Sequence, residues 1–203
     1  MISSEEALTR LREGNHRFQE DRPEHLVNTT GERRAQLTGG QAPFAVILGC
    51  SDSRVPAELV FDQGLGDLFV IRVAGNIACA SQIGSVEFAV EQFGTPLVVV
   101  LGHSNCGAIK ATLEALAHPG ETEVSPALAF IVEQITPALQ PLAGEQGQSG
   151  DAQLQAGIRA NIEASVAQLY GDSEVLRRRV DTGSLQIIGA EYSLESGAVT
   201  FLD

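Results

Sequence analysis

PLVVVLG, residues 96–102, is the clearest of the short apolar runs in the 203-residue sequence. Three further runs are also short and nearly continuously apolar, namely FAVILG at 44–49, LFVIRVA at 68–74 and LQIIGA at 185–190. Nearly continuous runs of β-branched and other apolar residues are typical of parallel strands that are covered on both faces. The four runs therefore predict four buried strands of one mainly parallel sheet.

Helical apolar periodicity fills the segments around these strands. The predicted helices are an N-terminal helical arm at 3–20 and segments at 81–93, 106–117, 125–139 and 152–170. Strands that alternate with helices indicate an α/β fold, with a mainly parallel central sheet flanked by helices. The C-terminal sequence AEYSLESGAVTFLD, residues 190–203, resembles a hairpin that adds an antiparallel edge strand. We expect residues 1–203 to form a single domain.

Charge and hydropathy exclude several classes of function. The chain has 13 basic and 26 acidic residues and a formal net charge of −13. A chain this acidic lacks the basic surface that binds nucleic acid or an anionic membrane. The apolar runs are too short to span a bilayer, and the N-terminus lacks the apolar segment of a signal peptide. We therefore expect a cytoplasmic protein that binds neither nucleic acid nor membrane.

Two clusters of chemically reactive residues follow the first and third predicted strands. Cys50 comes directly after FAVILG, His103 comes directly after PLVVVLG, and Cys106 lies three residues beyond His103. Ligands of open parallel sheets bind at the carboxyl ends of the strands, so both clusters lie where function is expected. Two thiols and one imidazole suit zinc, and three protein ligands leave one open position, as in catalytic zinc sites. Cys106 is predicted in the first helical turn, where the helix dipole favours a thiolate.

Simpler interpretations of the cysteines remain open at this point. A cysteine after a strand is most often a small buried residue, and Cys50 and Cys106 could instead form a redox pair. Neither belongs to a C-x-x-C motif. Cys79 lies among small residues, and we assign it no chemistry.

Asp52 and Arg54 favour the metal interpretation. Alternate residues of an extended segment point the same way, so Cys50, Asp52 and Arg54 are expected to share one face. A carboxylate near a metal needs a partner, and Arg54 offers a bidentate one. The alternative is a surface ion pair, which contributes little energy.

The sequence resembles the beta-class carbonic anhydrases. The resemblance rests on CSDSR at 50–54 and HSNCG at 103–107, and it extends through GNHRF at 14–18, FVIRVAGN at 69–76 and GSVEFAV at 84–90. It implies one zinc ion per subunit, held by Cys50, His103 and Cys106. It also implies reversible hydration of carbon dioxide to bicarbonate and a proton, by attack of zinc-bound hydroxide.

The same resemblance implies roles for the surrounding residues. Asp52 would accept a hydrogen bond from zinc-bound water, or ligate zinc itself in an inactive closed form, and Arg54 would hold it away from the metal. Gln41 stands nine residues before Cys50, where many members carry a glutamine that hydrogen-bonds substrate. The positions that correspond to the substrate pocket are Phe69, Ala74, Phe88 and Gly107. The family forms homodimers and larger dimer-based assemblies, in which Phe88 is expected to reach a neighbouring subunit.

One departure from the family pattern concerns regulation. Some bacterial members bind inhibitory bicarbonate at a site that needs a tryptophan three residues before the first cysteine ligand. Ile47 occupies that position here, and the chain contains no tryptophan. The resemblance therefore favours an open fourth zinc position without that inhibition. Hydrolysis of carbon disulfide or carbonyl sulfide and a non-catalytic zinc protein are the competing functions.

Overall fold

In a computed structural model, residues 2–25, 29–120, 125–144 and 150–202 are described. The helices are α1 Ser4–Gln19, α2 Gly31–Leu37, α3 Ala57–Val60, α4 Ala80–Phe93, α5 Gly107–Ala117, α6 Pro126–Leu139, α7 Gly150–Gly171 and α8 Glu174–Asp181. The strands are β1 Ala45–Gly49, β2 Leu68–Arg72, β3 Leu97–His103, β4 Gln186–Tyr192 and β5 Val199–Phe201. No helix among the described residues is long and apolar enough to cross a membrane.

The strands form one sheet in the order β2-β1-β3-β4-β5. The first four are mutually parallel, and β5 pairs antiparallel with β4, so the predicted mainly parallel sheet and its antiparallel edge are confirmed. Parallel strands place their carboxyl ends at one edge of the sheet. Register pairs Gly49 of β1 with Leu101 of β3, which brings the residues after β1 beside the end of β3.

The sheet has an apolar core on each face. Alternate residues of β1 point to opposite faces, so Val46, Leu48 and Cys50 share a core with side chains of α4 to α8. Ala45 and Ile47 belong to the other core, which α1 and α3 cover. The alternation along β1 therefore directs the Cys50 sulfur toward the face that carries α5 and α7.

Three short helices, α2, α3 and α8, were not predicted. α2 buries no side chain, and α8 has only eight residues, of which Leu176 is buried and Val180 is partly buried against the same core. α3 is a single turn of four residues. The predicted second strand also ends early, because residues 74–76 form a tight turn instead of continuing β2.

The N-terminal arm packs closely against its own chain through Gly14. A Cβ atom added to Gly14 would lie 1.8 Å from the Phe61 carbonyl oxygen. Asn15 reinforces this contact, since its side-chain amide donates to the carbonyls of Val60 at 3.1 Å and Gly197 at 2.8 Å.

We expect Gly14→Ala to destabilise the protein although alanine ordinarily favours a helix by about 1 kcal/mol. The clash with backbone forces α1 away, and overpacking of this kind costs about 1–3 kcal/mol. Thermal unfolding should show a lower Tm for Gly14→Ala and an essentially unchanged Tm for Glu13→Ala at the neighbouring exposed position. A raised Tm for Gly14→Ala would contradict the described packing of α1.

Candidate metal centre

Three buried side chains converge at the carboxyl ends of β1 and β3. Cys50 follows β1, His103 ends β3, and Cys106 is the residue immediately before α5, one position earlier than the predicted first turn. One ligand atom from each lies within 4.8 Å of the other two. Their exposed fractions are 6%, 0% and 1%, so the cluster is largely shielded from solvent.

The orientation of the His103 ring fixes which nitrogen is available to a ligand. Nδ1 lies 2.9 Å from the carbonyl oxygen of Ser104. A carbonyl oxygen only accepts hydrogen bonds, so Nδ1 carries the proton and Nε2 bears the lone pair. Nε2 is buried and has no hydrogen-bond partner among the described residues. A buried polar atom without a partner is costly, and a metal ion at Nε2 would remove that cost.

The two thiols sit among groups that stabilise negative charge. The neighbouring Cys106 thiol is the largest cause that lowers the pKa of Cys50 to about 4; the nearby His103 ring and the backbone N–H groups act in the same direction, and burial opposes them. The neighbouring Cys50 sulfur and burial raise the pKa of Cys106, although the N–H groups of Ile109 and Ala108 act in the other direction. A divalent cation bound by both sulfurs would favour ionisation of the two thiols.

A tight turn joins Cys50 to Asp52 and Arg54. The Val55 N–H donates to the Asp52 carbonyl oxygen at 3.1 Å, so the expected extended segment from Cys50 to Arg54 is wrong. The Asp52 Oδ1 atom accepts from the Arg54 N–H at 3.0 Å, and this local bond favours a turn over a strand. Asp52 and Arg54 are brought together by the turn instead of by alternation.

Arg54 engages both oxygens of the Asp52 carboxylate. Its Nε donates to Oδ1 at 2.9 Å and its Nη2 donates to Oδ2 at 2.6 Å. The Arg54 side chain is the largest cause that lowers the pKa of Asp52, so the carboxylate stays ionised near neutral pH. Oδ2 also lies 3.9 Å from His103 Nε2, which places the carboxylate at the edge of the metal cluster.

Arg72, at the end of β2, fixes the backbone of the same turn. Its Nε donates to the Cys50 carbonyl at 3.0 Å and its Nη2 donates to the Asp52 carbonyl at 2.6 Å. The sequence patterns do not predict that Arg72 contacts this turn. A lone arginine at a strand end carries no local signal of the loop that it contacts.

Two of the four predicted pocket residues lie beside the cluster. Ala74 precedes Gly75, whose backbone nitrogen lies 3.4 Å from Cys50 Sγ. Gly107 follows Cys106, and a Cβ added there would meet no atom within 4 Å, so open space adjoins this side of the cluster.

The other two, Phe69 and Phe88, lie away from the cluster within the chain. Phe69 pairs in register with Val46, three residues before the Gly49–Arg72 pair at the carboxyl ends of β1 and β2. Three residues of strand span about 10 Å. Its ring packs 6.2 Å from that of Phe88 and 6.1 Å from that of Phe93, and Phe88 is 51% exposed. These three rings form an aromatic cluster at the β2 edge of the sheet.

Gln41 lies at the opposite end of β1 from Cys50. It borders the same surface pockets as Leu65 and Gly66, which precede β2, and it is exposed. About 17 Å of strand separates Ala45 from Cys50. Gln41 precedes the amino-terminal end of β1, whereas the metal cluster lies at the carboxyl ends of the strands. The structure therefore does not bring Gln41 to the metal cluster of its own chain.

The fold and the cluster define an α/β protein with a buried Cys₂His cluster that could hold a metal ion, at the carboxyl ends of its parallel strands. The family model described as carbonic anhydrase matches residues 45–199. The chain is 40% identical over 196 residues to carbonic anhydrase 2 of Mycobacterium tuberculosis, covering 95% of this chain and 90% of that protein. It is 44% identical over 190 residues to carbonic anhydrase of Mycolicibacterium smegmatis, covering 93% and 88%.

The fold is also similar to solved structures of beta-carbonic anhydrases. The beta-carbonic anhydrase CafA of Aspergillus fumigatus has a TM-score of 0.75 at 27% identity, covering 98% of this chain and 90% of that one. The Coccomyxa beta-carbonic anhydrase, in complex with acetazolamide, has a TM-score of 0.74 at 27% identity, with coverage of 83% and 75%. The chain belongs to the beta-class carbonic anhydrase family, an enzyme family whose name implies carbon dioxide hydration.

Proposed function

We propose that this protein catalyses the reversible hydration of carbon dioxide to bicarbonate and a proton, with zinc held by Cys50, His103 and Cys106. The observation that carries the proposal is the unpartnered, fully buried Nε2 of His103, in a cluster with two buried thiols and with a carboxylate 3.9 Å away. A structural zinc site has four protein ligands and no need of a neighbouring ionised carboxylate held by an arginine.

The donor set fits zinc. Sulfur and imidazole nitrogen are its usual protein ligands, and Nδ1 of His103 already makes the second bond that orients metal-bound histidines. Zinc bound by two thiolates and an imidazole would supply a Lewis acid that activates water as a nucleophile near neutral pH. The thiolates cancel the charge of the ion, so this activation depends on help from neighbouring side chains.

Asp52 supplies that help in our proposal. Arg54 holds the carboxylate ionised and engages both of its oxygens, which keeps Asp52 from approaching the metal as a fourth ligand. In this open arrangement Oδ2 accepts a hydrogen bond from the attacking water and directs its lone pair toward carbon dioxide. Ligation by Asp52 in a closed form would require the bidentate contact with Arg54 to break.

Carbon dioxide would enter beside Ala74 and Gly107. Gly107 adjoins open space, and the absence of a side chain there leaves room next to Cys106. The small residues Ala74 and Gly107 would let a small apolar substrate lie close to the nucleophile. This proximity would raise the rate of the reaction.

Gln41 can serve the reaction only from a second copy of the chain. Within its own chain it lies at the opposite edge of the sheet, whereas a donor to substrate must lie within about 3 Å of the substrate oxygen. We therefore propose a homodimer or a dimer-based larger assembly in which Gln41 of one subunit completes the site of another. The exposed Phe88 of the aromatic cluster is an apolar surface that such an assembly would cover.

This assignment predicts complementation between two defective variants. Gln41→Ala should lower kcat/KM by about tenfold, the effect of losing one hydrogen bond. Cys106→Ser should abolish metal binding but keep Gln41. After co-refolding of the two variants, hybrid assemblies pair an intact metal site with an intact Gln41, so activity per zinc should exceed that of Gln41→Ala alone. Activity equal to that of the Gln41→Ala subunits alone would contradict action across the subunit interface.

Substrate identity is tested by paired assays on the zinc-loaded protein. Stopped-flow measurement with carbon dioxide should give rapid hydration, and carbonyl sulfide and carbon disulfide under the same conditions should give far slower hydrolysis. Faster turnover of either sulfur compound would reassign the substrate. Full zinc occupancy with no turnover of any of the three would indicate a non-catalytic zinc protein.

A further inference from the structure

Asn161 is a polar residue in the buried apolar stripe of α7. Its neighbours in that stripe include Ile158 and Ile162, and Asn161 itself is 3% exposed. A buried amide costs free energy unless it is hydrogen-bonded. The Asn161 Nδ2 atom donates to the carbonyl oxygen of Gly75 at 2.7 Å, across 86 residues of sequence.

Gly75 lies between this contact and the metal cluster. Its own backbone nitrogen is 3.4 Å from Cys50 Sγ, in a geometry that makes the N–H a donor to the sulfur. Gly75 has a φ of 71° and Asn76 a φ of 46°, so the turn requires the left-handed region twice in succession. A Cβ at residue 75 would lie 2.7 Å from Ile135 Cδ1 and 3.1 Å from Ala108 Cβ, so this crowding and the positive φ together favour glycine here.

Glycine makes the turn possible but does not fix its direction. A residue without a Cβ populates positive and negative φ with similar ease, so the orientation of the Gly75 N–H needs an external restraint. The 2.7 Å bond from Asn161 supplies this restraint on the carbonyl side of the same residue. Helix α7 is thereby connected to the Cys50 sulfur through a single residue.

We propose that Asn161 is a positioning residue that, through the Gly75 carbonyl, holds the Gly75 N–H on the Cys50 sulfur and so strengthens metal retention. The proposal rests on the metal centre of the proposed function and adds a part that the sequence motifs do not contain. An N–H donor stabilises the thiolate that ligates the metal, and loss of an outer partner of this kind typically weakens metal binding by about 10- to 100-fold.

The direct test uses ¹¹³Cd-substituted, ¹⁵N-labelled protein. A hydrogen bond from an amide to a metal-bound sulfur transmits a scalar coupling between the cadmium nucleus and the amide proton. We expect a ¹¹³Cd–¹H correlation to the Gly75 amide in the wild-type protein. Its absence, with the correlations to the Cys50 β-protons present, would overturn the proposal, and this measurement needs no variant.

Two variants test the part played by Asn161. Asn161→Leu keeps the volume without the donor, and Asn161→Ala removes both. We expect each to lose the Gly75 correlation and to release zinc to a chelator about tenfold faster than wild type. Ser165→Ala is the matched control, since Ser165 is a buried polar residue one turn further along α7. It should retain the correlation and the wild-type release rate, even if its Tm falls.

The outcomes separate this proposal from the proposed function. The wild-type protein could show the Gly75 correlation, retain zinc in a way that depends on Asn161, and yet not hydrate carbon dioxide. That result would support the positioning role and refute the proposed function. An active enzyme in which Asn161→Ala keeps the Gly75 correlation and the wild-type zinc release would refute the positioning role alone.

Discussion

Cys106→Ser should lose zinc and carbon dioxide hydration together. A serine hydroxyl is not deprotonated at neutral pH, so the site would keep only one thiolate and one imidazole for the metal. Without the metal there is no group in the cluster that activates water, and the rate should fall to that of buffer. Zinc analysis and stopped-flow hydration on the same sample measure both effects.

Cys79→Ser is the matched control for this substitution. Cys79 is the third free thiol of the chain, but it does not belong to the Cys50–His103–Cys106 cluster. The control should keep one zinc per chain and wild-type activity. Wild-type zinc content in Cys106→Ser, or loss of zinc in Cys79→Ser, would contradict the assignment of ligands.

Asp52→Ala should separate chemistry from metal binding. The three ligands remain, so zinc content should be unchanged, whereas loss of the hydrogen-bond acceptor that orients the attacking water should lower kcat by about 100-fold or more. Asp172→Ala is a suitable control, because Asp172 is an exposed residue after α7 that does not belong to the Cys50–His103–Cys106 cluster. It should leave kcat unchanged. Full activity in zinc-replete Asp52→Ala would rule out the role given to this carboxylate.

The sequence predicts the strands that build the site because burial on both faces leaves a strong local signal. The run at 44–49 became β1, one residue shorter at its start, and the run at 96–102 became β3, shifted by one residue. Cys50 follows β1, and His103 ends β3. Parallel pairing then brings these two residues together across 53 positions of sequence without further information. The short helix α2 leaves no comparable signal, since it buries no side chain.

The parts that could not be predicted depend on contacts between distant residues. The turn after Cys50 is fixed partly by Arg72, and the turn at Gly75 by Asn161, and neither partner is adjacent in sequence to the residues it holds. Gly75–Asn76 after β2 does indicate a turn from its residue types. Its hydrogen bond to the Cys50 sulfur is visible only in three dimensions.

Gln41 is close to Cys50 in sequence but far from it in the folded chain. Nine residues of chain before Cys50 suggest proximity, but five of the intervening residues form β1 and carry the chain from one edge of the sheet to the other. A residue with a role in substrate binding can then lie far from the metal in its own subunit. If Gln41 has the proposed role, the reaction requires assembly, and complementation between subunits tests this requirement.

The most direct test of the central claim is a reconstitution series. Metal-free protein is loaded with increasing zinc, and carbon dioxide hydration is measured by stopped flow on each sample alongside its zinc content. We predict that the hydration rate rises in proportion to bound zinc and reaches its maximum at one zinc per chain. A protein that binds one zinc per chain and hydrates carbon dioxide no faster than buffer would contradict the proposed function.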